Sequence, residues 1–261
     1  MHLYWGGTEL VYLRYLTVKT FMKLNPDWKI ILWYPLHSFK GRSWGSTSQE
    51  LFERSSCKDY FPELWDLPIT KSPVDFDSLG FGSNFAEVHK ADYIRINALS
   101  LYGGVWSDMD IIYFKPLEQL AVNKPENAEK ETYVCIGNYG HSTGFNMAKP
   151  ESRFFTKLRD VLSVEYKSYG YQCWGPDIFN KYFKSFKSIP NAVNLSMDVV
   201  YAHNCHQVAE LINEKKGRFN GESIGCHWYA GNELWVRFLN ETGGGVRNLP
   251  DTIIGQLING V

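Results

Sequence analysis

Two carboxylates one residue apart, Asp108 and Asp110, flank Met109 in the run Gly103-Gly-Val-Trp-Ser-Asp-Met-Asp110. Val105 and Trp106 before them and Ile111-Ile-Tyr-Phe114 after them make Val105–Phe114 read as strand on both sides of the pair. Side chains two apart on a strand project to one face, so both acids converge. Two unpaired acids beside an apolar run are costly unless a cation or hydrogen-bond donors neutralise them. A hard divalent ion with oxygen ligands does this most simply. The alternative is a strand end that points both acids into water. Spacing by itself does not decide, because Asp75-Phe-Asp77 repeats it. That second pair has no framing apolar strand and reads as a solvated acidic turn.

The helix that must hold the first pair in place runs over Asn84–Tyr102, with Asn84 as N-cap and Gly103 just past its end. At about 100° per residue, Phe85, Val88, Ala91, Ala98, Leu99 and Tyr102 form one apolar stripe. Asp92 and Arg95 fall inside that stripe, whereas Lys90, Tyr93, Asn97 and Ser100 take the opposite face. A carboxylate and a guanidinium three residues apart can pair. On the core-facing side they line a polar pocket beneath the carboxyl edge of a sheet, or else form a purely structural buried pair.

Around these elements, His2–Trp5 and Lys29–Tyr34 read as strands, with a helix over Thr8–Leu24 between them and a Ser-rich loop at 38–50. Further on, Thr132–Gly137, Gly144–Ala148 and Val193–Tyr201 read as strands. Ser152–Tyr166, Pro176–Phe183 and His206–Lys216 read as helices, and Gly243-Gly-Gly245 as a mobile loop. Strand–helix alternation followed by mixed elements implies an α/β fold with a mainly parallel central sheet flanked by helices. Ligands in such folds bind at the carboxyl ends of the strands, where Asp108 and Asp110 fall.

The bulk numbers restrict the partners. A chain of 261 residues, 44% hydrophobic, suits a single domain. With 27 basic and 28 acidic residues it has no global field to draw nucleic acid or an anionic membrane. Nine Trp and sixteen Tyr suit stacking on sugars and bases, although aromatics more commonly serve as core. Cys57, Cys135, Cys173, Cys205 and Cys226 are scattered without a CxxC pair, which reads as reduced thiols and not as a disulfide framework or zinc site. No apolar run is long enough for a transmembrane segment. The expected location is the cytoplasm if the chain is complete, or the lumen of the secretory pathway if an N-terminal anchor has been removed.

Lys90-Ala-Asp-Tyr-Ile-Arg95, Leu99, Gly103-Gly104 and Trp106-Ser-Asp-Met-Asp110 together resemble the sugar-binding region of DXD-containing glycosyltransferases. That family includes α-1,6-mannosyl-, α-1,4-galactosyl- and α-1,4-N-acetylglucosaminyltransferases, with the glucosylating bacterial toxins as more distant relatives. His2-Leu-Tyr-Trp-Gly-Gly7 resembles the family's first strand, and Asn25-Pro-Asp-Trp28 with the residues after it resembles the second. The resemblance implies a GT-A-like nucleotide-sugar-binding fold, with a donor half over residues 1–118 and an acceptor and site-closing half over 119–261. It implies Mn²⁺ or Mg²⁺ held by Asp108 and Asp110, the latter the more direct ligand. Trp5 would stack on the base, and Asp92 and Arg95 would bind donor-sugar hydroxyls. Trp106 stands where the family usually has Tyr.

The second half matches more loosely. Gly225-Cys-His-Trp228 resembles a late His-Trp segment that closes over the metal and diphosphate, which makes His227 a third ligand or a phosphate donor and Trp228 a donor contact. By local sequence alone, a lone His is as readily structural. Trp174-Gly-Pro-Asp177 resembles an acceptor-side segment and nominates Asp177, which also reads as a simple first-turn acid after Pro176. Thr143 and Asn146, in His141-Ser-Thr-Gly-Phe-Asn146, fall where the family presents a polar loop under the sugar.

The implied activity is metal-dependent transfer of a hexose from a nucleotide sugar, with a UDP-sugar taken first and GDP-mannose open. The acceptor would be a glycan, a lipid-linked sugar or a protein. The family generally retains anomeric configuration. Two readings compete: an inactive carbohydrate-binding protein of the same fold, and a metal-dependent sugar nucleotidyltransferase. The latter needs a basic, Gly-rich phosphate loop near the first strand, and Trp5-Gly-Gly-Thr-Glu9 has no basic residue.

Overall fold

The computed structural model describes residues 1–37, 56–81, 85–120, 122, 124–138, 140–165 and 172–261. The Ser-rich stretch at 38–50 and the Asn84 cap lie outside the described residues. Strand β1 (His2–Tyr4) leads through helix α1 (Tyr12–Leu24) to β2 (Ile31–Pro35). Helix α1 starts later than Thr8 because Val11 is extended, and the Leu10 N–H donates to Asp59 Oδ1 at 2.8 Å. Helix α2 (Phe61–Asp66) precedes β3 (Thr70–Val74), and α3 (Glu87–Leu101) precedes β4 (Gly104–Ser107) and β5 (Ile111–Tyr113). Strands β6 (Thr132–Gly137) and β7 (Gly140–Ala148) form a hairpin.

The remainder comprises α4 (Arg153–Glu165), α5 (Pro176–Tyr182), β8 (Ala192–Leu195), α6 (Val208–Asn213), β9 (Gly225–His227), α7 (Leu234–Glu241) and α8 (Ile253–Asn259). Strand β8 stops well short of Tyr201, because Ser196 caps a short 3-10 turn over Met197–Val199. Gly243, Gly244 and Gly245 form a packed turn and not an open loop. All three have positive φ, and a Cβ on Gly244 would meet Cys57 Cβ at 3.3 Å.

Seven strands form the central sheet in the order β3-β2-β1-β4-β7-β6-β8, and β7 alone runs against the rest. The fold is therefore α/β with a mainly parallel sheet flanked by helices. Both faces of the sheet are covered, so alternate residues feed different cores. Val105 and Leu3 pack on one side with Phe145 and Met109, while Trp106 and Tyr4 pack on the other with Ile94, Leu99 and Phe154. A two-stranded sheet, β5 with β9, packs into a third cluster around Trp228, Trp235 and Phe238.

Helix α3 is buried nearly all round, which corrects the single-stripe expectation. Lys90 and Ser100 are inside, while Tyr102 is 60% exposed. The helix lies between the sheet and α4, so its polar groups find partners there. Lys90 Nζ pairs with Glu87 at 2.7 Å, and the Ser100 carbonyl accepts from the Glu151 N–H at 2.7 Å. All five cysteines are free. Among the described residues no helix is long and apolar enough to cross a membrane.

The break between α3 and β4 aims the site. Gly103 has φ +65°, and a Cβ there would sit 2.5 Å from Pro150 N and 2.7 Å from Ala148 O. Both the left-handed backbone and the close approach exclude a side chain. Gly103→Ala should lower stability by about 2 kcal/mol or more, read as a fall in the denaturant midpoint. An unchanged midpoint would mean that this turn is not the constraint.

Candidate active site

Asp108 and Asp110 do not lie in one strand. They occupy the turn that carries the chain from β4 in the large sheet to β5 in the small one. The turn is pinned at both ends by continuing the two ladders. Asp108 N–H donates to Gly144 O at 2.7 Å, and Trp228 N–H donates to Asp110 O at 2.9 Å. Met109, 3% exposed, is driven into the core between them. Convergence of the acids thus comes from a turn with a buried central residue, not from strand pleating.

Asp108 has one oxygen tied and, among the described residues, one free of donors, while each oxygen of Asp110 meets a nitrogen. Asp108 Oδ1 accepts from Trp106 Nε1 at 2.8 Å and from Arg95 Nη2 at 3.2 Å. Asp110 Oδ2 accepts from the Ala230 N–H at 3.0 Å. The register Ile111↔His227 places His227 beside the turn, with Nε2 3.2 Å from Asp110 Oδ1. Ligand atoms of Asp108, Asp110 and His227 all lie within 4.8 Å of one another.

Two carboxylate oxygens and an imidazole nitrogen suit Mn²⁺ or Mg²⁺, and the tied oxygens hold the others in position. Asp108 Oδ2 fits a cation as it stands. His227 Nδ1 accepts from the Tyr229 N–H at 3.3 Å, which puts the proton on Nε2. Ligation through Nε2 would need that proton on Nδ1. Asp75 and Asp77 contrast with this site: they are exposed beside His37, and Asp75 accepts from Ser78.

Arg95 links the turn to helix α3. One guanidinium nitrogen donates to Asp92 Oδ1 at 2.5 Å and the other to Asp108, and its Cζ lies 5.1 Å over the Trp106 ring. Asp92 and Arg95 are 3% and 4% exposed, yet both border the cleft. Burial raises the Asp92 carboxyl to about 6, against the opposing pull of Arg95. For Asp108 burial also pushes upward, but Arg95, His227 and the Trp106 N–H outweigh it and leave its pKa below the ordinary value.

These groups border a cleft of ≈ 590 Å³. Asp92, Arg95, Asp108, Thr143 and His227 reach its wall. Asp110 stands behind His227. Trp106 is 1% exposed and acts on Asp108 from below. Asn146, also 1% exposed, donates to Thr143 O at 2.7 Å. Trp228 is fully buried against Trp235, with ring centroids 5.0 Å apart, and presents no surface to the cleft. Trp5 lies outside this wall with the Arg14 guanidinium 4.9 Å over its ring, and Asp177 is exposed on the first turn of α5.

Sequence reasoning missed Gly144, Gln172 and Tyr201, which also line the cleft. Tyr201 follows Val199-Val200 and reads as core, so no local signal marked it.

Residues 14–127, which carry Asp92, Arg95, Asp108 and Asp110, match the model of the glycosyltransferase sugar-binding region containing a DXD motif. No curated protein sequence matches the chain. Among solved structures, the galactosyltransferase LgtC in complex with donor and acceptor sugar analogs is similar at 13% identity and TM-score 0.49, over 96% of this chain and 98% of that one. The glycosyltransferase GlyE of Streptococcus pneumoniae is similar at 14% identity and TM-score 0.47, over 99% of this chain and 62% of that one. The PaToxG glycosyltransferase is similar at 16% identity and TM-score 0.45, over 69% of this chain and 65% of that one. The chain thus spans just under two thirds of the latter two.

The Asp92 value carries a sign. Because the folded-state pKa lies above the unfolded one, the folded chain holds a proton between about pH 4 and 6 that the unfolded chain has released. Stability from this group therefore falls as pH rises through that window. Thermal midpoints of the unaltered protein, measured against Asp92→Asn, should decline from pH 4 to 6. Parallel curves would show that burial does not perturb Asp92.

Proposed function

We propose that the protein transfers a hexose from a nucleotide sugar, a UDP-sugar first and GDP-mannose second, to a hydroxyl of a glycan, lipid-linked sugar or protein, with retention at the anomeric carbon. The observation that carries this reading is the gathering of Asp108, whose Oδ2 has no donor among the described residues, with Asp110 and His227, their ligand atoms all within 4.8 Å of one another. Mn²⁺ or Mg²⁺ held by these three residues would stabilise the charge of the departing diphosphate.

Asp92 and Arg95 sit where donor-sugar hydroxyls would enter. A carboxylate that only accepts and a guanidinium that only donates recognise both sides of a hydroxyl. Arg95, already spanning Asp92 and Asp108, keeps the sugar pocket in register with the cation site. Trp106, Asn146 and Trp228 serve this site from behind, through Asp108, Thr143 and the backbone N–H to Asp110, and not by touching the donor. Thr143 offers a hydroxyl on the wall. Trp5 supplies a partly open aromatic face at the end of β1 for the base. Asp177 stands on the helix that begins beside Asp92 and serves acceptor contact from there; a Cβ on neighbouring Gly175 would lie 3.2 Å from Asp92 Oδ1.

Thermal shift with a panel of UDP- and GDP-sugars, with and without Mn²⁺, tests the reading. A rise in midpoint with one nucleotide sugar that requires Mn²⁺, and its abolition by Asp110→Ala, are the expected results. If no nucleotide sugar binds in the presence of Mn²⁺, the transferase reading is wrong. Unchanged binding in Asp110→Ala would remove the cation from it.

A further inference from the structure

One polar atom on the cleft wall is left over. Tyr201 is 6% exposed, and its ring centroid lies 5.2 Å from that of His227. Its hydroxyl has no hydrogen-bond partner among the described residues, although the side chain lines the cleft. A buried phenol ordinarily finds one, and a buried donor left unmet is destabilising. A phenol carries its proton at neutral pH, so the group is a donor without an acceptor.

Gly144 shows which groups the hydroxyl stands among. A Cβ built there would lie 2.8 Å from Asp108 Oδ2, 3.0 Å from Tyr201 Oη and 3.2 Å from His227 Nε2, so the lack of a side chain is what lets these three atoms gather at the cleft wall. Asp108 Oδ2 is the oxygen that neither Arg95 nor Trp106 occupies. Whatever enters must accept from a phenol while lying against a carboxylate oxygen and an imidazole nitrogen. An oxygen bound to a cation meets both demands: its lone pair takes the O–H, and the cation satisfies Asp108 Oδ2 and, once the imidazole proton is on Nδ1, His227 Nε2.

We propose that Tyr201 donates a hydrogen bond to an oxygen in the coordination shell of the cation at Asp108, Asp110 and His227, and that Gly144, by carrying no side chain, lets Tyr201 and these residues gather around it. The oxygen belongs to a water molecule or to the diphosphate of the donor. The inference rests on the metal-dependent reading above and adds to it a binding residue from outside the matched region.

Tyr201→Phe tests it, because it removes the hydroxyl and keeps the ring. Calorimetry would give Mn²⁺ affinity without nucleotide, then UDP and GDP affinity at saturating Mn²⁺, alongside the thermal midpoint of the unliganded protein. A hydrogen bond to a charged ligand shell corresponds to a loss of roughly 10- to 100-fold. Weakened Mn²⁺ binding assigns the oxygen to water, and weakened nucleotide binding alone assigns it to the diphosphate. The unliganded midpoint should hold or rise, since no folded-state hydrogen bond is lost. Unchanged affinities in Tyr201→Phe, or a lowered midpoint as the sole effect, overturn the proposal. If the unaltered protein takes up neither Mn²⁺ nor nucleotide, the metal-dependent reading falls and this inference with it. If it takes up both and Tyr201→Phe does so equally, this inference falls alone.

Discussion

Three acids and one guanidinium meet at the end of the central sheet, and their charges do not balance. Asp92 and Asp108 share Arg95, while Asp110 is left with a backbone N–H and an imidazole. Like charges held this close, partly out of water, raise one another's cost of ionisation. One guanidinium is thus shared by two of the three acids, and the turn and the buried helix hold all three beside the cleft.

How it is held follows from topology. Strand β4 belongs to the seven-stranded sheet and β5 to the two-stranded one, so the short turn between them is fixed by two hydrogen-bond ladders at once. Met109 in the core removes the remaining freedom. Trp106 and Arg95 then fix one oxygen of Asp108, and the Ala230 N–H fixes one of Asp110. A ligand held by its second oxygen loses little further freedom on binding a cation. The cost is a helix, α3, whose polar residues are buried and depend on partners in the sheet and in α4.

Several residues that look like contacts in a sequence are supports in the fold. Trp106 and Trp228 bring large aromatic surfaces near the site, yet both are almost wholly enclosed. Their contributions are an indole N–H to Asp108 and a backbone N–H to Asp110. Tyr201 is the converse: it ends an apolar run, and its hydroxyl meets the cleft.

The sequence by itself determined the α/β class, the long helix with Asp92 and Arg95, the glycine break at 103 and the closeness of Asp108 and Asp110. All of these are local: helical periodicity, a left-handed glycine and acids framed by apolar residues are written within a few turns of chain. It misread the turn as a strand and the buried polar face of α3 as an exposed one, because covering by α4 is a long-range event that periodicity does not record. Only the tertiary structure decided that His227 joins the acids, through the pairing of β5 with β9 across more than a hundred residues of chain. It alone decided that Tyr201 and Gly144 face the same space. Which face of an apolar segment meets a cleft is set by the elements packed around it, and no local pattern carries that information.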